Sequence, residues 1–103
     1  MNTKRKLKTP ISKNTDLFAA LQLFDEKHPI LNCFYNITFH CCNEITMQGH
    51  FNDIIFDYLL LNGFVILRQH KMNDDSLAIN LTKRIYMADQ FAVINIVLID
   101  KNL

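Results

Sequence analysis

The sequence of 103 residues predicts a single α+β domain of two layers, with two helices on one face of a mainly antiparallel sheet of about five strands. Three observations indicate this class. Residues 31–51 alternate between apolar and polar side chains, which is the period of a half-buried strand. Residues 14–28 and 53–62 have helical apolar spacing between capping signals. Further strand-length apolar segments follow, and the predicted order of elements is α-β-β-α-β-β-β.

The first 12 residues are predicted to form a flexible basic tail, and residues 13–103 are predicted to form the domain. Residues 1–13 contain five basic side chains and no acid, and they lack hydrophobic periodicity. The other 90 residues have six basic and ten acidic side chains, a formal charge of −4 that the overall charge of +1 conceals. The sequence therefore describes an acidic body with a basic tail.

No segment is typical of a signal peptide or a membrane span. Residues 12–16 are polar where a signal peptide needs an apolar stretch after its basic cluster. The most apolar segment, residues 54–67, contains Asp57 and is too short for a bilayer. Three cysteines, two of them adjacent, do not form a disulfide framework. We therefore expect a cytoplasmic protein without membrane contact.

The first helix is predicted to begin at Asn14 or Thr15, either of which can serve as the N-cap. It is predicted to end at His28, because Pro29 disfavours helical backbone in the residue before it. Spacing of i, i+4 and i+7 defines its buried face, which consists of Leu17, Leu21 and Phe24.

The alternating segment predicts a hairpin. Its apolar face consists of Leu31, Cys33, Tyr35, Ile37, Phe39 and Cys41, followed by Ile45, Met47 and Phe51. A three-residue loop over residues 42–44 keeps both apolar sets on one face, with Asn43 as the residue that tolerates left-handed backbone. That loop pairs 41 with 45, 39 with 47, 37 with 49 and 35 with 51. A bulge would also restore the phase, and it remains an alternative.

The second helix is predicted over residues 53–62, with Asn52 as its N-cap and Gly63 as its stop. The remaining predicted strands cover residues 64–70, 77–82 and 91–99, with a polar turn at 71–76 and a connection at 85–90. The last strand is apolar on both parities, although one sheet face of a two-layer domain is usually wet. Either this strand is central with both faces covered, or its outer face meets a second chain.

A metal site is the first candidate function for the polar residues of the hairpin. Four residues of the types that bind metals lie in a short segment: His40, Cys41, Cys42 and His50. Alternation places His40 and Cys41 on opposite faces. The predicted register separates His40 from His50 by about 13 Å, whereas zinc ligands converge within ~2.0–2.3 Å of one ion. We therefore predict no metal and no cofactor.

The candidates for catalysis have simpler interpretations. Cys42, His40 and Glu44 at the hairpin tip are more typical of an ordinary turn than of a nucleophile, a base and its orienting group. Asp74 and Asp75 fit turn chemistry and lack the spacing of a calcium loop. Two glycines in the whole chain leave no glycine-rich phosphate loop. We therefore predict that the protein is not an enzyme and has no small-molecule substrate.

The function class that the sequence favours is a small intracellular protein-binding or regulatory module that self-associates. Its partner would be another protein or a second copy of the chain. Accessory or inhibitor proteins of phages and mobile elements supply an analogy for this class. The expected contact residues lie on the polar face of the hairpin and on the last strand: Asn36, Thr38, His40, Thr46, Gln48, His50, Phe91, Val93 and Val97.

Nucleic-acid binding is the alternative function. A basic tail contacts phosphates without sequence preference, and a second small basic patch would extend that contact. The residues expected to take part are Lys4, Arg5, Lys6, Lys8, Arg68, Lys71, Lys83 and Arg84. Phe34, the aromatic on the polar face of the first strand, would offer a surface for base stacking. The acidic body and the lack of a recognition motif weigh against this alternative.

Overall fold

The computed structural model describes residues 9–40 and 43–101. In chain order its elements are β1 (Thr9–Pro10), α1 (Asn14–Lys27), a 3₁₀ turn (Leu31–Cys33), β2 (Phe34–His40), β3 (Glu44–His50), α2 (Asp53–Leu61), β4 (Val65–Lys71), β5 (Leu77–Met87) and β6 (Gln90–Asp100). The predicted α+β class is confirmed, as is the order of the two helices and the five longer strands. The two-residue strand β1 is an addition to the predicted set.

The strands form one sheet in the order β2-β3-β6-β5-β4, and β1 also pairs with β6. The pairs β2–β3, β4–β5 and β5–β6 are antiparallel, whereas β3 and β1 run parallel to β6. The sheet is therefore mixed, whereas the sequence predicted a mainly antiparallel one. The parallel pair arises because α2 leads the chain from β3 to the far edge, and the β4–β5–β6 meander returns it to lie beside β3.

One face of the sheet packs against both helices and forms the core. The buried residues on the central strands are Ile45, Met47, Ile79, Leu81, Ala92, Ile94, Ile96 and Leu98. The helices add Leu17, Ala20, Phe24, Ile55 and Leu59 to the same cluster. Because β6 has neighbours on both sides and helices above it, its inward side chains are fully buried. This explains one of the two apolar parities that the sequence shows in the last strand.

The predicted register of the β2–β3 hairpin is wrong by two residues. His40 pairs with Glu44, Phe39 with Ile45 and Ile37 with Met47, instead of the pairings 41–45, 39–47 and 37–49. Odd-numbered residues still oppose odd-numbered residues there, so the predicted phase of these strands is right. β2 ends at His40 and β3 begins at Glu44, and the conformation predicted for Asn43 was not tested, because residues 41 and 42 lie outside the described ranges.

An irregularity at the start of β2 accounts for a second correction. The register shifts between Phe34 and Asn36, so that Phe34 pairs with Gly49 and points into the core with 9% of its surface exposed. Cys33 and Tyr35, which the alternation assigned to the apolar face, are exposed. A bulge of this kind inserts one residue and reverses the faces on one side of it. Phe34 is therefore a core residue and offers no surface for base stacking.

The N-terminal part of the domain extends further back than predicted. Thr9 and Pro10 pair with Gln90 and Phe91, and Ile11 is fully buried in the core. Residues 9–12, which the sequence assigned to the flexible tail, therefore include a strand and a core residue. The apolar side chain of Ile11 and the extended backbone that Pro10 favours explain this attachment. Residues 1–8 lie outside the described ranges.

Local signals around α2 were interpreted correctly. The side chain of Asn52 accepts a hydrogen bond from the Ile55 N–H at 2.9 Å, and Gly63 has a φ of +90° after the helix. The strands β5 and β6 are longer than predicted, because the alternation of Ile85 with its neighbours continues the hairpin to a tight turn. Of the helices in the described part of the chain, none is long and apolar enough to cross a bilayer.

Candidate functional site

The face of the sheet that points away from both helices is called the outer face here. On β6 its side chains are Phe91, Val93, Asn95, Val97 and Ile99. Cross-strand partners share a face, so the register places on the same outer face every residue that the sequence proposed for partner contact. Both described helices cover the opposite face, and Val93, Asn95 and Val97 are nevertheless half-buried.

Two adjoining cavities on the outer face make it concave, and together they are called the trough. One cavity, of about 390 Å³, is lined by Glu44, Thr46, Leu67, Arg68, Asn80, Leu81, Asn95 and Val97. The other, of about 530 Å³, is lined by Gly63, Val65, Thr82, Lys83, Arg84, Tyr86 and Val93. The first reaches from β3 to β4, which are three strand spacings apart, or roughly 14 Å in a flat sheet.

The polar groups of the trough are amides and hydroxyls flanked by opposite charges. The Thr82 hydroxyl donates to the Asn95 side-chain oxygen at 3.0 Å. The Asn80 side-chain oxygen is buried and has no hydrogen-bond partner among the described residues. Glu44 lies on the β3 rim and Arg68 on the β4 rim. An unpaired buried acceptor of this kind costs ~1–3 kcal/mol.

Apolar side chains on the β4 side extend the trough. Val65 is 59% exposed and Leu67 is 64% exposed, although β4 is an edge strand that most proteins protect with polar residues. Tyr86 adds an aromatic ring that is half exposed. Together with Val93 and Val97 on the floor, these side chains form an apolar surface with a polar rim. Surfaces of that composition mark contact sites for proteins or ligands.

The residues proposed from sequence for partner contact are spread across the outer face. Thr46, Val93 and Val97 line the trough. Asn36, Thr38 and His40 lie beyond them on the edge strand β2, and Gln48 and His50 continue along β3. The ring of His50 lies 4.9 Å from that of Tyr35. Phe91 is 8% exposed, because the Arg84 guanidinium lies 4.4 Å from the centre of its ring and the Tyr86 ring lies at 6.2 Å.

Sequence reasoning proposed no contact role for several residues of the trough, among them Leu67, Asn80, Thr82 and Asn95. A signal for three of them was present in the sequence. Asn80 and Thr82 fall on the polar parity of the predicted fourth strand, and Asn95 interrupts an otherwise apolar strand. The sequence did not predict the order of the strands in the sheet, so these positions could not be assigned to one surface. Leu67 gave no such signal, since it lies at a bulge between Ile66 and Arg68.

The basic residues proposed for nucleic-acid contact do not converge within the described ranges. Arg68 and Arg84 lie on the outer face. Lys71 pairs with Asp75 at 3.5 Å, and Lys83 donates to the Asn62 carbonyl oxygen at 2.7 Å. The tail residues Lys4, Arg5, Lys6 and Lys8 lie outside the described part of the chain. Lys83 and Arg84 line one cavity together, whereas Arg68 and Lys71 lie apart from them on β4, so the four body residues do not form one patch.

Potential metal ligands are also dispersed. Among residues 9–40 and 43–101, no group of three His, Cys, Asp or Glu side chains is arranged to hold a metal ion. His40 now opposes Glu44 at the end of the hairpin, in place of the predicted Thr46. Cys41 and Cys42 are outside the described ranges, so the proposed hairpin-tip cluster is described only in part.

His28 at the end of α1 has a perturbed environment. Its Nδ1 lies 2.9 Å from the Tyr58 hydroxyl. Burial lowers the pKa of His28 below its ordinary value of 6.5, and the nearby charges of Lys83 and Lys27 lower it further. The imidazole is therefore neutral near pH 7, and protonating it in the folded protein is unfavourable.

The pH dependence of stability should report this environment. Because the pKa of His28 is lower in the folded chain than in the unfolded chain, unfolded chains bind more protons there as the pH falls through 6.5. The free energy of unfolding should therefore fall as the pH drops through that range. Urea unfolding at several pH values should show a shallower decline for His28→Gln than for the original chain. His50→Gln serves as the control, and an equal change in both variants would contradict the assignment to His28.

Comparison with known proteins identified no relative of this chain. No family model, curated protein or solved structure matches the chain. The function is therefore inferred from the geometry and chemistry of the described residues.

Proposed function

We propose that the protein is a non-enzymatic binding module that self-associates through the trough, with a second copy of the chain as the partner. The observation that supports this most directly is the concave outer face with Val93 and Val97 at its centre. In a two-layer domain the face away from the helices is usually wet and polar. An apolar centre on that face is explained if another surface covers it.

The rims of the trough have charges that favour a second copy as occupant. Glu44 lies on the β3 rim and Arg68 on the β4 rim of the same cavity. A two-fold axis parallel to the strands would exchange the two rims between facing copies. Glu44 of each copy would then lie above the same rim as Arg68 of the other, offset along the strands by four residues, or about 13 Å. Such complementarity contributes to the orientation and the specificity of an interface.

The size of the face sets the expected affinity. Five strands of about seven residues cover roughly 24 by 23 Å, an area on the order of 550 Å². Stable interfaces bury about 800 Å² on each partner, so the outer face is below the standard size. We therefore expect a dimer that dissociates at micromolar concentrations. We also propose a regulatory role and a cytoplasmic location. The odd number of cysteines, three, favours the reducing environment of the cytoplasm.

Charge reversal combined with light scattering tests this proposal. The original chain should change from monomer to dimer over a concentration series that extends to several hundred micromolar. Arg68→Glu and Glu44→Arg should each raise the dissociation constant by about tenfold, because each places like charges on facing rims. The double variant should restore the original value, since it exchanges the two charges. Lys71→Glu on the same strand should change the dissociation constant little.

Two results would overturn the proposal. A strict monomer at the highest concentration would exclude self-association. A dimer that none of the trough variants weakens would place the interface elsewhere. The nucleic-acid alternative is tested separately by fluorescence anisotropy of the full chain with generic DNA and RNA. Binding that weakens with salt would favour that alternative, and no binding at low salt would eliminate it.

A further inference from the structure

A third cavity, of about 180 Å³, lies between the end of α1 and β5, and it is called the α1–β5 pocket. Its lining residues are Leu23, Phe24, Lys27, His28, Lys83, Arg84, Ile85 and Tyr86. The strand β4 begins at Val65 opposite Thr82, so β5 continues past it toward its own turn. The pocket occupies this region, where the C-terminal turn of α1 faces the extension of β5.

The charges around the α1–β5 pocket are all of one sign. Lys27, Lys83 and Arg84 line it, and no acidic side chain does. In the described ranges none of these three residues forms a salt bridge. The Arg84 guanidinium lies over the Phe91 ring on the outer face, so Lys27 and Lys83 supply the charge of the pocket. Their two charges exceed the charge of about −0.5 that the carboxyl end of α1 contributes. The pocket therefore has a positive potential.

Two of the cations are held in place by other groups. The Lys83 ammonium donates to the Asn62 carbonyl oxygen at 2.7 Å and lies 5.8 Å from the centre of the Phe64 ring. The Arg84 guanidinium lies against the Phe91 ring. Fixed cations lose less conformational entropy on binding an anion than free surface lysines do. Lys83 can donate from its remaining N–H groups to a second acceptor.

The state of His28 agrees with this potential. The positive charges of Lys83 and Lys27 both act on its ring and favour the neutral form. The Tyr58 hydroxyl contacts Nδ1, and Nε2 has no hydrogen-bond partner among the described residues. A neutral imidazole with one open nitrogen can donate to or accept from a bound oxyanion. An anion in the pocket would offset the lysine charges and make protonation of the ring easier.

We propose that the α1–β5 pocket binds a small phosphorylated molecule, with the phosphate near Lys27 and Lys83 and an apolar group against Phe24 and Ile85. A phosphate dianion matches several cations better than a singly charged carboxylate does. The volume equals about six water molecules at ~30 Å³ each, which suits a phosphate with a small apolar group. A nucleic-acid strand is too large for it. The pocket shares Lys83, Arg84 and Tyr86 with one cavity of the trough, whereas Phe24, Lys27 and His28 line the pocket alone.

Nuclear magnetic resonance titration of His28 in the full chain tests the proposal, with phenyl phosphate as the probe. Saturation with phenyl phosphate should raise the pKa of His28, because the bound dianion offsets the charges of the two lysines. Phenyl phosphate should bind more tightly than inorganic phosphate, and phenol should not shift the His28 resonance. An unchanged His28 pKa at about 10 mM phenyl phosphate, a concentration that detects millimolar affinity, would overturn the proposal.

Lysine variants locate the binding. Lys27→Met and Lys83→Met should each weaken phenyl phosphate binding by about tenfold, since each removes a charge-assisted hydrogen bond. Lys27 lies at the exposed end of α1, so its variant should fold even if Lys83→Met does not. Lys71→Met removes the same charge outside the pocket and should bind like the original chain. Equal loss of affinity in Lys71→Met and Lys27→Met would show nonspecific charge attraction and overturn the assignment.

Discussion

Replacing Ile96 by alanine is expected to lower the free energy of unfolding by about 3–4 kcal/mol. Ile96 is fully buried on the inward face of β6, and its neighbours across the sheet are Met47 and Leu81. Alanine would remove three carbon atoms from a position with strands on both sides and helices above. The surroundings could collapse only in part, so a cavity would remain. Urea unfolding of the monomer measures the change.

Two control variants separate burial from strand propensity. Ile96→Val should cost only about 0.5–1.5 kcal/mol, because it removes one methylene group and keeps the β-branched shape. Val97→Ala changes the next residue of the same strand, on the half-buried outer face, and should cost less than Ile96→Ala. If Val97→Ala were as destabilising as Ile96→Ala, the assignment of the two faces of β6 would be wrong.

Gly49→Ala is expected to destabilise the fold by about 3 kcal/mol, through a steric conflict at the β2–β3 pair. An added Cβ would lie 2.8 Å from the Cys33 carbonyl oxygen and 3.0 Å from the Phe34 ring. The carbonyl belongs to the backbone and has no rotamer that relieves the contact. The start of β2 would have to move outward, and Phe34 would lose part of its burial. Thermal and urea unfolding should both show the loss.

Gly63→Ala is the matched control, since it adds the same methyl group at the other glycine. The nearest atoms to its added Cβ belong to the flexible end of Lys83, at 3.5 Å or more. Its φ of +90° nevertheless disfavours alanine, which should cost about 1 kcal/mol. A larger effect at Gly63 than at Gly49 would mean that backbone conformation, and not the close approach of β2, determines these costs.

The elements that the sequence predicted well are those with local causes. Asn52 and Gly63 define α2 because a cap and a left-handed stop depend on the residues beside them. The period of two identified β2 and β3 for the same reason. The register of that hairpin, in contrast, depends on contacts between two strands and not only on neighbouring residues in the sequence. Phe34 turns inward because Gly49, on the next strand, leaves room for its ring, and alternation within one strand does not contain that information.

The trough could not be predicted because it depends on strand order. Thr46 and Leu67 line one cavity because their strands belong to one sheet, with β6 and β5 between them. The sequence did indicate that the last strand had two apolar faces, and it proposed that the outer one contacts a partner. It could not show that Asn80 and Asn95 would lie beside those valines. The α1–β5 pocket has the same origin, since it joins residues more than 50 positions apart.

The parallel pairing of β3 with β6 also has a consequence for folding kinetics. The hairpins β2–β3 and β5–β6 close over a few residues, but Met47 and Ile96 meet across a separation of 49 residues. Closing such a loop costs conformational entropy before the stabilising contacts between the strands form, so pairings of this kind slow folding. During synthesis β3 emerges well before β6. Until β6 pairs with it, the edge of β3 that faces away from β2 has unpaired backbone groups, and its inward side chains are incompletely covered. A nascent chain in that interval is the form of this protein most exposed to aggregation.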